Sequence, residues 1–228
     1  MAKSIVFSII ILFISGCVRL DLPRTEAVIN IEQNIVEEPI EEKPQIVVPK
    51  PEPIVEEPTK KECVDELTNS FVGTYEIGGN NKDFNNSFLK ELLIKSNWKT
   101  GQAWCSFIVK GVLDHCEVPN TVTGWSPSSY NRKDVIYTDG KFQKEYKNED
   151  ILIMSLSYQK FRNDKTRFKG IGHTGFVESI GTQSVTTKEG NTSQQPDNIN
   201  ADRNGDGFHR RIRPLTNNLH ITRWGNEK

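Results

Sequence analysis

The sequence predicts an α+β fold, with N-terminal helices packed on one antiparallel sheet. Two observations lead there. Between Glu62 and His115 apolar residues recur at helical spacing, and after Asp134 the pattern changes to short apolar runs separated by glycines and polar stretches. Helices first and strands later is the order of an α+β domain. No internal repeat interrupts it.

Glu62 to Val72 forms a short amphipathic helix. Asn85 to Lys95 is a stronger candidate, because Phe84, Phe88, Leu89, Leu92 and Leu93 fall on one stripe. Asp83 or Asn85 is the expected cap. Trp104 to His115 is the third helix, with Trp104, Phe107, Ile108, Val112 and Leu113 at helical spacing. Ile151 to Leu156, Thr174 to Ile180, Ser184 to Thr187 and Arg210 to Leu215 read as strands.

This domain occupies only part of the 228 residues. Three regions are expected: a signal segment at 1–17, a tether at 18–60 and a folded domain at 61–228. Met1 and Lys3 open a short basic start, followed by the apolar run Ile5 to Ile14. A membrane-spanning helix needs about 20 apolar residues, so this shorter run fits the core of an export signal. It ends in Ile14-Ser15-Gly16-Cys17, which resembles the lipobox of bacterial lipoproteins. The resemblance implies lipidation of Cys17 and anchoring in the cell envelope. Two or more acyl chains hold a protein firmly on a bilayer. Val18, rather than an aspartate, leans towards an outer membrane facing the periplasm where two membranes exist.

From Asp21 to Thr59 the chain holds seven of its eleven prolines, ten acidic residues against three basic ones, and no aromatics. Such a stretch cannot build a core. Proline and like-charge repulsion favour an extended chain of about 3.1 Å per residue, long enough to let an anchored domain work on the order of 100 Å from the membrane. The rest, Lys60 to Lys228, carries 24 Lys+Arg against 20 Asp+Glu, a mild positive charge that suits a polyanionic surface such as a cell wall.

Composition excludes several classes. A mean hydropathy of −0.55 is too polar for a multi-span membrane protein. A net charge of −1 gives no case for nucleic acid. Four cysteines do not make a disulfide-dense scaffold.

The residues that carry chemistry begin at Gly101-Gln102-Ala103-Trp104-Cys105-Ser106-Phe107, a glycine turn leading into a helix with cysteine in its first turn. Free N–H groups and the helix dipole there favour a thiolate, and the same N–H groups can stabilise an oxyanion. A thiolate needs a base. His173, in Gly172-His173-Thr174-Gly175, opens a strand that can hold an imidazole beside the helix mouth. The base needs an orienting acceptor, and Lys188-Glu189-Gly190-Asn191 supplies Glu189 and Asn191, expected on one face of the adjacent strand.

These segments together resemble the CHAP domain (cysteine, histidine-dependent amidohydrolase/peptidase) of the papain-like and NlpC-type group. Trp104 to Val109 matches the nucleophile helix, Glu149 to Met154 the following strand, Gly172 to Val177 the histidine strand and Glu189 to Thr192 the polar pair. Tyr75 to Asn80 resembles an upstream segment. Asn204 to Gly207, with Arg210 and Arg213, resembles the final hairpin. The similarity covers residues 70–215. Two features depart from it: Glu149 stands where glycine is usual, and Tyr158 to Gly170 is a longer, basic loop.

The resemblance implies a papain-like fold and hydrolysis of peptidoglycan amide bonds, with peptidoglycan as partner, the membrane reached through the lipid anchor, and no cofactor. Cys105 would attack the carbonyl and His173 carry the proton. Glu189 would orient His173, and Asn191 would assist or bind substrate. The Cys105 N–H, with Gln102, would form the oxyanion hole. Trp104, Trp125 and Tyr130 read as core or groove wall, and a direct substrate contact is the other reading. A non-catalytic wall-binding or scaffold lipoprotein with a retired CHAP fold is the alternative, and an envelope protein acting on other amide bonds is a third reading.

With Cys17 lipidated and Cys105 catalytic, Cys63 and Cys116 remain. An exported compartment permits a disulfide between them, and two separate buried thiols is the other reading. No metal is expected. The chain holds no CxxC or HExxH motif. Asp202 to Gly207 matches the opening of an EF-hand loop, but the twelfth position is Arg213, so a hairpin turn is the preferred reading.

Overall fold

The computed structural model describes residues 57–193 and 206–225. Cys17 and its lipobox, nearly all of the tether, and residues 202–205 of the EF-hand-like segment lie outside the described residues. Those that are described form an α+β fold with three α-helices, a two-stranded ribbon and a seven-stranded antiparallel sheet. Among them no helix is long and apolar enough to cross a membrane.

Helix α1 (Lys60–Phe71) starts two residues ahead of expectation because of a capping box. The Glu62 N–H donates to Thr59 Oγ1 at 3.2 Å, and the Thr59 N–H donates to the Glu62 carboxylate at 2.8 Å. The short strands β1 (Glu76–Ile77) and β2 (Asp83–Phe84) pair as a ribbon. Helix α2 (Ser87–Lys95) follows, capped by Asn86, whose Oδ1 accepts from the Leu89 N–H at 3.0 Å. The expected caps are corrected: Asp83 pairs with Lys90 at 2.9 Å, and Asn85 Oδ1 accepts from the Tyr75 N–H at 2.8 Å. A cap must directly precede the first helical residue, and the ribbon uses up both candidates.

Helix α3 (Cys105–His115) is the central helix, burying Phe107, Ile108, Val109, Val112 and Leu113. Cys63 on α1 and Cys116 at the end of α3 are joined by a disulfide with Cα atoms 5.7 Å apart. Phe71, Leu89, Leu93, Trp104 and Ile108 fill the core between the helices and the sheet. Each such fully buried side chain contributes about 1.5–3 kcal/mol.

The strands are β3 (Val135–Thr138), β4 (Lys141–Phe142), β5 (Ile151–Ser157), β6 (Ile171–Ile180), β7 (Ser184–Thr192), β8 (Gly207–Pro214) and β9 (Leu219–Trp224). Their order across the sheet is β4-β3-β9-β5-β6-β7-β8. Strands β5 to β8 are a meander, and the chain then returns to insert β9 between β3 and β5. Along β5 the side chains alternate. Ile151 and Ile153 join the helix-side core, while Leu152 and Met154 join a second core with Val185 and Ile221. Burial on both faces is why β5 reads as an unbroken apolar run.

Candidate active site

Two ties hold the mouth of α3 in place. Trp104, fully buried, donates from Nε1 to Glu76 Oε1 at 2.6 Å, which fastens it to β1. Its backbone N–H donates to Asn191 Oδ1 at 3.0 Å, which fastens it to β7. Gly101, at φ +92°, makes the turn beforehand and donates its N–H to the Asn81 carbonyl at 2.7 Å. Cys105 is the first residue of α3, where N–H groups have no partner within the helix and the dipole is positive.

His173 stands within β6, which begins earlier than the sequence pattern indicates. Its Nε2 lies 2.8 Å from Glu189 Oε2, and its ring faces the same cavity as the Cys105 thiol, close enough for the two groups to shift each other's ionisation. Since Glu189 occupies Nε2, Nδ1 is left for the sulfur. Glu189 is 0% exposed. Arg213 on β8 donates to both of its oxygens, Nε to Oε1 at 2.8 Å and Nη2 to Oε2 at 2.5 Å. The Thr187 hydroxyl donates to Oε1 as well. Four side chains thus form a continuous line, Cys105–His173–Glu189–Arg213.

Two glycines permit this line. A Cβ at Gly175 would come within 2.7 Å of Glu189 Cγ, so only glycine on β6 leaves room for the carboxylate. A Cβ at Gly190 would lie 2.4 Å from the Trp104 ring, so glycine there lets β7 lie against the start of α3.

The electrostatics follow from burial and pairing. Burial works against a thiolate at Cys105, but the hydrogen bond and charge of His173, with smaller help from the Ser126 hydroxyl and the Thr174 N–H, hold the thiol below its ordinary range. Burial likewise disfavours charge on His173, and its hydrogen bonds to Cys105 and Glu189 outweigh that, raising it well above the usual imidazole value. Glu189, buried as it is, is kept ionised far below the ordinary carboxylate range by Arg213 and His173. All three shifts favour the same state: thiolate, imidazolium, carboxylate.

Cys105 and His173 open on a cavity of about 530 Å³, whose wall includes Trp125, Ser126, Tyr158 and Asn191. Trp125 is 44% exposed at this surface. Ser126 Oγ lies 3.7 Å from the Cys105 sulfur.

Several expected roles change. Gln102 is not aimed at the nucleophile: its side chain folds back to accept from the Lys99 N–H at 2.8 Å, closing the turn before α3. Asn191 does not share a face with Glu189 as a second orienting group. A register shift separates Glu189 from Thr192, and Asn191 adopts φ +57°, which turns it to the helix mouth. There its Nδ2 donates to Asn81 Oδ1 at 3.2 Å and to Asp206 Oδ2 at 3.3 Å. Trp104 is core. Tyr130 is buried edge-on to His220, and its ring packs against Phe168.

Sequence reasoning missed Ser126, Thr187 and the role of Arg213. The signal for Arg213 was physical: a carboxylate buried behind a histidine requires a second cation. Among the described residues no group of three or more His, Cys, Asp or Glu is arranged to hold a metal ion. No protein-family model, curated protein or solved structure matches the chain.

Proposed function

We propose that the protein is a cysteine amidohydrolase or peptidase of the CHAP type, with a papain-like fold, that cleaves peptidoglycan amide bonds from a lipid anchor in the cell envelope. The observation that carries this reading is the charged line Cys105–His173–Glu189–Arg213, whose Cys105 and His173 end opens on a cavity. A structural cysteine needs no imidazolium, and a structural histidine needs no buried carboxylate with its own arginine. The Cys17 lipobox and the acidic tether support the envelope location, and the mildly basic domain suits the wall.

The chemistry runs as follows. The Cys105 thiolate attacks the amide carbonyl, and the oxyanion is stabilised by the Cys105 N–H at the positive end of α3. The Ser126 hydroxyl is the second donor, in the part first assigned to Gln102. His173 transfers its proton to the departing amine as the C–N bond breaks, leaving a thioester. Water then gives a proton to His173 and attacks the thioester, which releases a carboxylic acid and restores the thiolate. Glu189 holds the imidazole and its charge throughout, and Arg213 keeps Glu189 ionised.

The test is mass analysis of purified peptidoglycan treated with the chain and with Cys105→Ala. Stem peptide freed whole from glycan defines an amidase, and a cut within stem or crossbridge an endopeptidase. Wall left intact by both proteins, or cut equally by both, refutes the reading.

A further inference from the structure

The segment from Tyr158 to Gly170, which is longer and more basic than the CHAP pattern, makes one wall of the catalytic cavity. Tyr158, Lys160, Phe161 and Arg167 all line the space on which Cys105 and His173 open. Its placement is fixed from below. The Tyr158 N–H donates to the Gly170 carbonyl at 3.1 Å, closing the loop at its base. A Cβ at Gly172 would lie 2.5 Å from the Phe161 ring and 2.7 Å from the Tyr158 ring. The two rings therefore rest directly on the backbone one residue before His173.

The loop's cations are arranged rather than loose. Lys160 Nζ sits 4.9 Å from the Phe161 ring centre, and the Arg167 guanidinium lies 4.2 Å from the same ring. Arg167 is partly satisfied, by Asp164 at 3.4 Å and by the Ile171 carbonyl at 3.2 Å. Lys160 has no ion pair among the described residues. Two cations held on one aromatic ring at the lip of a concave site form a preorganised anion trap.

We infer that Lys160, supported by Arg167, binds a carboxylate of the substrate and makes the enzyme select peptide stems whose carboxyl groups are free over stems in which they are carboxamides. The carboxamide keeps the shape and loses the charge, so the pair isolates this contact. The selectivity rests on the hydrolase reading for its kinetic form, but not for its binding form.

The experiment compares two synthetic cross-linked muramoyl peptides, which contain both the glycan–peptide bond and the stem and crossbridge bonds, one with free carboxylates and one amidated, on the full chain and on the Lys160→Gln and Lys160→Arg variants. The quantity read is the ratio of kcat/KM for the two peptides, which does not depend on how much protein is folded. The expected ratio is about tenfold for the natural chain, falls to within about twofold in Lys160→Gln and is largely retained in Lys160→Arg. Binding of both peptides to Cys105→Ala, with and without Lys160→Gln, is measured by calorimetry. A natural chain indifferent to amidation, or a ratio unchanged in Lys160→Gln, overturns the inference while leaving the hydrolase standing. No turnover, but carboxylate-selective binding that Lys160→Gln abolishes, overturns the hydrolase and leaves the subsite standing. Neither turnover nor binding overturns both.

Discussion

Arg213 grips both oxygens of Glu189 from the edge strand β8, at 2.8 and 2.5 Å, and shares Oε2 with His173. The sheet thus carries a row of paired charged groups from its edge towards the mouth of α3. Replacing Arg213 with Met leaves a fully buried carboxylate with two of its four hydrogen bonds. The expected cost is about 3 kcal/mol of stability and a 10–100-fold loss in kcat/KM, as for other groups that orient a reacting side chain. Arg213→Lys retains the charge but not the paired donors, and falls between. Denaturant unfolding and steady-state rates on the same preparations check both.

Asn191 gives a sharper separation of geometry from charge. Its Oδ1 holds the N–H of Trp104, one residue before Cys105. Asn191→Leu frees that turn, and a displacement of about 1 Å at the nucleophile can cost on the order of 100-fold in rate. The loss is expected in kcat, with little change in the pH at which Cys105 ionises, because His173 and Glu189 keep their contacts. A shifted ionisation instead would show that Asn191 acts through charge.

His220 predicts the acid stability of the fold. It is buried on β9, with Thr138 Oγ1 at Nδ1 and Ser157 Oγ at Nε2, both at 2.9 Å. Burial first, and Lys169 second, push its pKa down to about 4. A base with a depressed folded pKa takes up protons more readily when unfolded. The stability that neutral His220 contributes is therefore complete above pH 6.5 and is lost as pH drops towards 4. Glu189 adds its own loss only below the ordinary carboxylate value. Between pH 6.5 and 4.5 urea midpoints should fall by the equivalent of roughly 2–3 kcal/mol, and a His220→Gln variant should show a much flatter dependence.

The Cys63–Cys116 bond closes a loop with a sequence separation of 53 and ties α1 to the end of α3. Loop entropy assigns it about 4 kcal/mol. The double Cys→Ser variant should lose most of that in chemical denaturation, while retaining its rate per folded molecule, since neither sulfur touches the catalytic line.

Much of this arrangement was legible in the residues. Helical periodicity located three helices because each has one apolar stripe. Cys105, His173 and Glu189 stand out in the sequence because a thiolate needs a base and the base an acceptor, and the fold groups the three together. Strands β3, β4 and β9 were missed for different reasons. Asp139-Gly140 carried a readable hairpin signal, both residues having positive φ (52° and 76°), as a two-residue turn demands. β9 carried only a four-residue alternation, Leu219-His220-Ile221-Thr222, and its polar side chains His220 and Thr222 are buried on partners distant in sequence. Asn191 was misread because a local register shift cancels the two-residue alternation on which the inference rested.

The central claim is that His173, backed by Glu189 and Arg213, holds Cys105 as a thiolate. The rate of iodoacetamide alkylation against pH, mapped by mass spectrometry to the peptide containing Cys105, measures this without any substrate. The account predicts fast modification that persists well below the ordinary thiol range and changes little across neutral pH. In His173→Ala the rate should become slow at neutral pH and rise only on the alkaline side. A single rise near the ordinary thiol pKa of 9.0, the same in both proteins, would contradict it.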